Sequence, residues 1–136
     1  MSARDTLAEV VTLIRQTLAL PESEPILPHQ LFFYDLGFTS MDLLDLLFRL
    51  EQHFQIEIPE GTIYHLARGD VAEAEFAEDA VLTEAGRARL MKLLYDTPPE
   101  LFPPRIHATT LPRYCTVGAI TRLVEHKLAA RETCSK

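Results

Sequence analysis

Ser40 is the side chain in this sequence best placed to do chemistry. It stands in "DLGFTSMD", residues 35–42, where a Leu-Gly pair runs into Thr39-Ser40 and a leucine-rich stretch begins. A serine there suits a helix N-cap, which asks nothing of function. It also suits an attachment point, because a helix N-terminus offers unpaired N–H groups and partial positive charge that stabilise a phosphate on the hydroxyl. Gly37 lets the backbone bend closely just before it. Nucleophilic catalysis suits the spacing poorly. A nucleophile elbow needs Gly-x-Ser-x-Gly between a strand and a helix, whereas Gly37-Phe-Thr-Ser40-Met-Asp42 has no following glycine. His29, His53, His65, His107 and His126 are scattered and give no triad context.

The segment is no calcium loop, since it lacks the central glycine and has Leu46 where a closing glutamate belongs. No histidine or cysteine spacing matches a metal-ligand motif, so no metal site is expected. Cys115 and Cys134 imply no disulfide framework.

The helix that Ser40 opens, residues 40–54, has two apolar groups when projected at about 100° per residue. Leu43, Leu46, Leu47, Leu50 and Phe54 form one stripe, which is the expected core face. Met41, Leu44 and Phe48, spaced i, i+3, i+7, form a second group flanked by Asp45, Glu51 and Gln52. Two readings of the second group stand. It is core, covered by another part of the chain, or it is a docking strip rimmed by carboxylates, as a groove-binding partner requires.

Three further helices are expected around this one. Residues 4–19 carry Leu7, Val10, Val11, Leu13, Ile14 and Leu18 at helical spacing, and Pro21 ends the pattern. Residues 116–130 place Val117, Ile120, Leu123, Val124 and Leu128 on one side behind the N-cap candidate Thr116. Residues 84–95 follow Thr83 as cap, with Glu84 in the first turn. Residues 21–39 make a long loop with apolar anchors Leu31, Phe32, Phe33, Leu36 and Phe38, and a loop of that length must pack or carry function. Pro98, Pro99, Pro103 and Pro104 forbid regular helix. No strand-type alternation is sustained, so the class is all-α.

Composition sets the outer bounds. A chain of 136 residues, 47% hydrophobic, can bury one core. Its net charge of −7 argues against nucleic acid, whose phosphates demand a basic surface. Residues 29–61 hold six acids (Asp35, Asp42, Asp45, Glu51, Glu57, Glu60) against Arg49 alone, so the negative charge gathers around Ser40 and suits basic partners. The start "MSARDTLAEVV" does not read as a signal peptide, and no apolar run could span a bilayer. A cytoplasmic monomer is expected.

"DLGFTSMDLLDLLFRLEQHFQIEIPE", residues 35–60, resembles the acyl carrier proteins and, more broadly, phosphopantetheine-binding carrier domains. That family's pattern is Leu-Gly, a variable residue, Asp-Ser-Leu, then an acidic amphipathic helix ending in Phe-x-x-x-Ile-Pro. Leu36, Gly37, Ser40, Met41, Asp42, Asp45, Leu46, Glu51, Phe54, Ile58 and Pro59 fit it in unbroken register, and "TVGAITRLV" looks like its closing helix. The resemblance implies an acyl-carrier-like bundle of three main helices plus short ones, packed on Leu46, Leu47, Leu50, Phe54 and Ile58. It implies that Ser40 receives a 4′-phosphopantetheine arm from coenzyme A through a phosphopantetheinyl transferase. The arm would carry acyl groups as thioesters for fatty acid, specialised lipid or polyketide biosynthesis, making the protein a carrier that serves enzymes. Met41, Leu44, Asp45, Phe48 and Glu51 would meet acyl-transferring or ketosynthase-type enzymes with basic docking patches.

Two departures stand out. Thr39 occupies the position before the serine where the family usually has Asp. The chain, expected as one domain over 1–136, also carries an insertion at about 62–114, partly helical and partly Pro-rich, where the family has a short loop and a small helix. The insertion either extends an acyl cavity beside the 40–54 helix or covers an edge of the core. The main rival to a carrier is an interaction module of the same fold without prosthetic group, with Thr39 as its trace. A small serine hydrolase is the remote one.

Overall fold

Asp5 starts the first helix, its carboxylate accepting the Ala8 N–H at 3.1 Å. Helix α1 runs Thr6–Leu18 and stops where Ala19 turns left-handed (φ 56°), just ahead of Pro21. These elements belong to a computed structural model that describes residues 5–59 and 61–134; residue 4, where the first helix was expected to begin, Glu60 and the Cys134 side chain lie outside the described residues. Helix α2 is Ser40–Phe54, as the pattern predicts, and ends at a left-handed Gln55. Helices α3 (Thr62–Arg68) and α4 (Glu73–Phe76) follow. Strands β1 (Ala77–Glu78) and β2 (Val81–Leu82) pair antiparallel, Ala77 with Leu82 and Glu78 with Val81. Helix α5 is Glu84–Leu93, and α6 is Val117–Cys134.

The three long helices form the main body. Val10 and Ile14 of α1, Leu46 and Leu50 of α2, and Val117 and Val124 of α6 have no exposed surface. Packing of amphipathic faces, more than local propensity, is what holds such helices. His53 ties α2 to α1 through a 2.7 Å contact with Glu9. The loop before α2 packs, as its anchors predict: Leu31, Phe32 and Phe38 are buried, Phe33 and Leu36 half-buried. The rings of Phe32 and Phe38 meet edge-on at 4.9 Å. The same loop is stitched to the start of α6, where Val117 N–H donates to the Gln30 carbonyl (2.9 Å) and Gly118 N–H to that of Pro28 (2.8 Å).

Four local expectations change. Leu47, expected in the core, is only half-buried; it sits at the edge of the α2 stripe and faces a cleft instead. The short β1–β2 hairpin appears within a segment with no alternating pattern, because two residues per strand are too few to show one. Helix α5 ends at Leu93, not 95, because Leu94 leaves helical geometry and turns inward to a buried position. Helix α6 runs four residues past the expected 130, since "RETC" contains no breaker.

The segment after α3 forms a second layer. Phe76, Leu90 and Ile106 are fully buried in it. Helix α5 packs on α3 and α4 rather than beside α2, and a Cβ on Gly86 would collide with the Phe76 carbonyl, so glycine sets that close approach. Arg87 fastens the Pro-rich stretch by donating to the Phe102 and Pro103 carbonyls, both at 2.8 Å. Asp96 fastens the layer to α6: it accepts from the Arg122 guanidinium at 3.1 and 3.2 Å and from the Thr116 hydroxyl at 2.7 Å. Thr116 in turn accepts the Ala119 N–H at 3.0 Å and caps α6, as its position predicts.

Candidate functional site

The cap of α2 is Thr39, not Ser40. Thr39 Oγ1 accepts the Asp42 N–H at 3.2 Å, and Asp42 Oδ2 accepts the Thr39 N–H at 2.9 Å, a complete capping box. Asp42 Oδ2 also takes the Thr39 hydroxyl proton at 3.0 Å. Thr is a sound N-cap, so the residue that departs from the carrier pattern does structural work. Ser40 is thereby left at the first helical position, exposed, and its hydroxyl makes no hydrogen bond among the described residues. The N–H groups of Ser40 and Met41 head the helix without intrahelical partners, as first-turn amides must.

The approach to Ser40 is rigid. Gly37 adopts φ +73°, a left-handed conformation that suits glycine. Phe38 N–H then donates to the Phe32 carbonyl at 2.8 Å while its ring plugs into the core. The chain therefore delivers the serine to the surface two residues after a buried aromatic anchor.

Beside it lies the second apolar group of α2. Met41 is 73% exposed, Leu44 61% and Phe48 60%, so nothing in the chain covers them among the described residues. Three large apolar side chains thus stand in one exposed row. The flanking acids divide in role. Asp45 is exposed and pairs with Arg49 at 3.3 Å. Glu51 is half-buried, and its carboxylate accepts the Ile58 N–H at 2.7 Å, pinning the chain after α2. Glu51 is thus first a structural acceptor and only secondarily a rim charge.

A cleft of about 930 Å³ opens at Ser40. One side is α2, with Leu43, Leu44, Leu47 and Phe48; the next is α3, with Ile63 and Tyr64; the far wall is the 3₁₀ segment 108–114, with Leu111, Pro112 and Arg113. Leu111 is buried, and the Arg113 guanidinium lies 5.8 Å from the Phe33 ring centre. No histidine lines this cleft among the described residues. The far wall escaped the sequence reading: "ATTLPRY" has no periodicity, and its internal Pro112 reads as a breaker.

Elsewhere, no group of three or more His, Cys, Asp or Glu side chains that could hold a metal occurs among the described residues. Burial pushes the Cys115 thiol up to about 12, with the Asp96 charge adding to the rise and Arg122 opposing it. That thiol stays protonated and unreactive.

A helical bundle with an exposed serine at the first turn of its second helix, beside an apolar strip and a cleft, is the layout that the sequence resemblance leads one to expect. Residues 8–68 match the family described as the phosphopantetheine attachment site, and this part of the chain is a carrier-protein domain of the acyl carrier protein family. The matched segment is a carrier domain and the attachment site for 4′-phosphopantetheine. The match ends with α3, the helix where the insertion was expected to begin at about residue 62. Carrier domains work with a phosphopantetheinyl transferase and synthase enzymes. No helix among the described residues is long and apolar enough to cross a membrane.

Proposed function

We propose that Ser40 is the attachment residue and that the chain works as one acyl carrier domain, residues 1–136, with residues 69–114 as a structured addition. The carrying observation is the division of labour at residues 39 and 40. Thr39 caps the helix, and Ser40 stands free at the mouth of a cleft within the matched segment. The residues present fit the group. The head of α2 offers two unpartnered N–H groups and the helix dipole to a phosphodiester, and Arg113 adds a cation to the same cleft. When bound, the arm supplies a thiol that holds an acyl group as a thioester.

Met41, Leu44 and Phe48 form the contact strip for acyl-transferring or ketosynthase-type partners, and Asp45 attracts their basic patches. Such rim charges act mainly on the rate of encounter. The acidic α2 favours fatty acid, specialised lipid or polyketide partners over peptide synthetases, by family analogy. The protein is proposed to act as a cytoplasmic monomer.

Incubation with coenzyme A and a broad-specificity transferase tests this reading by intact mass. One phosphopantetheinyl group is expected on wild type and none on Ser40→Ala. Modification of Ser40→Ala would move the site elsewhere, and an unmodified wild type across several transferases would leave an interaction module of the same fold.

A further inference from the structure

Arg113 is the one cation among the described residues that line the cleft at Ser40. The other charged group there, Glu51, is taken up by the Ile58 N–H. Arg113 is exposed, and its guanidinium makes no hydrogen bond or ion pair among the described residues. It lies over the Phe33 ring at cation–π range, 5.8 Å from the centre. A guanidinium held this way keeps its donors free, and its planar fork suits a phosphate oxygen pair.

The arginine is fixed in the same frame as the serine. Two residues after it, the Cys115 carbonyl accepts the Phe32 N–H at 3.4 Å, and Leu31 bridges to Thr116. The Phe32 carbonyl in turn accepts the Phe38 N–H at 2.8 Å, two residues before Ser40. Phe33, the platform under the guanidinium, belongs to that same loop and also lines the cleft. Ser40 and Arg113 are therefore carried on two hydrogen-bonded segments, although they are far apart in sequence.

The wall that bears Arg113 lies outside the family match, which ends at residue 68. Thr109 and Thr110 stand on the same wall. The Thr109 hydroxyl has no hydrogen-bond partner among the described residues, and the Thr110 hydroxyl donates to the His107 carbonyl at 2.9 Å but can still accept. A phosphopantetheine arm carries a phosphodiester at its root, then a hydroxyl and two amides. A purely apolar wall would leave all of these to water, whereas this wall offers a cation and hydroxyls.

We infer that Arg113 is a positioning residue for the prosthetic arm: it pairs with the phosphodiester on Ser40 and lays the arm across the mouth of the cleft along residues 109–113. The additional layer then serves the prosthetic group as well as the core. This rests on Ser40 as the attachment residue. The pair is open to solvent, so it is weak and sensitive to salt, and a partner enzyme draws the arm away at little cost.

The test compares the full chain with and without the arm, loaded by a transferase and checked by intact mass. Amide exchange at residues 108–115 and the phosphorus NMR signal of the diester are followed. In wild type the arm is expected to slow exchange there about threefold, the factor an exposed ion pair supplies, and raised salt should erase the slowing. Arg113→Gln should leave the unloaded protein unchanged, cancel the slowing on loading, and sharpen the phosphorus signal as the diester moves more freely. Arg113→Lys should keep part of the slowing. Where Arg113→Gln alters the unloaded protein, the salt dependence of wild type decides. Equal exchange in loaded and unloaded wild type, or slowing that survives salt or Arg113→Gln, overturns the role of Arg113 and leaves the attachment reading intact. No mass gain, or a gain that survives Ser40→Ala, overturns the attachment reading and this inference with it.

Discussion

Exchange of two adjacent hydroxyls should separate stability from modification. In Thr39→Ala the Asp42 N–H loses its acceptor and Asp42 loses the threonine O–H, while the return bond from the residue 39 N–H to Asp42 survives. Half the capping box remains, and so does the favourable carboxylate at the positive end of α2. The expected loss is therefore the middle of the N-cap range, about 1 kcal/mol. For a domain of this size that lowers Tm by roughly 3–5 °C and the urea midpoint by roughly 0.5 M. Thr39→Ser, which keeps an acceptor, should restore most of it. Ser40→Ala removes an exposed hydroxyl with no internal hydrogen bond, so its stability should change by less than about 0.5 kcal/mol. In the transferase assay the order reverses: Ser40→Ala takes no arm, and Thr39→Ala still does. Equal destabilisation by the two alanines, or an unmoved midpoint in Thr39→Ala, would refute the assignment of cap and attachment point.

Leu50→Ala, at a fully buried position, should cost about 2–5 kcal/mol in chemical denaturation. Leu47→Ala, on the cleft wall, should cost only about 1 kcal/mol, and equal losses would place Leu47 back in the core. Asp45→Lys should slow stopped-flow association with a basic partner and flatten its salt dependence with little change in stability; unchanged kinetics would mean docking elsewhere. Glu51→Gln should instead lower the stability by about 1 kcal/mol, because a charged acceptor of the Ile58 N–H becomes neutral. Burial alone would raise the Asp96 carboxyl, but hydrogen bonds from Arg122 and Thr116 and the Arg122 charge hold it below its ordinary 3.8. The folded state then binds fewer protons than the unfolded one, so this stabilisation is present above 3.8 and lost as pH falls through the lower folded value. Asp96→Asn should flatten the acid limb of a stability–pH curve, and an unaltered limb would remove Asp96 from the account.

The sequence alone determined what depends on near neighbours. The 3.6-residue spacing of leucines set α2 over residues 40–54, the buried face of Leu43, Leu46, Leu50 and Phe54, and the separate grouping of Met41, Leu44 and Phe48, whose exposure only the tertiary structure decided. Thr83 and Thr116 were legible as caps for the same reason, since a cap bonds three residues ahead. The Leu-Gly…Ser register was legible because the bend and the helix start are local events. Tertiary structure decided the rest. Which of two adjacent hydroxyls caps α2 turns on a difference of one residue in where the helix begins, which sequence patterns do not resolve. Leu47 could be placed only once the cleft existed, because half-burial is a property of what lies opposite. That opposite wall, residues 108–114, follows a long excursion with no periodicity of its own; Arg87 ties the Pro-rich stretch before it to α5, and the Asp96–Arg122 pair clamps the additional layer to the bundle. Contacts between residues far apart in the chain depend on the packing of the whole, and no local pattern records them.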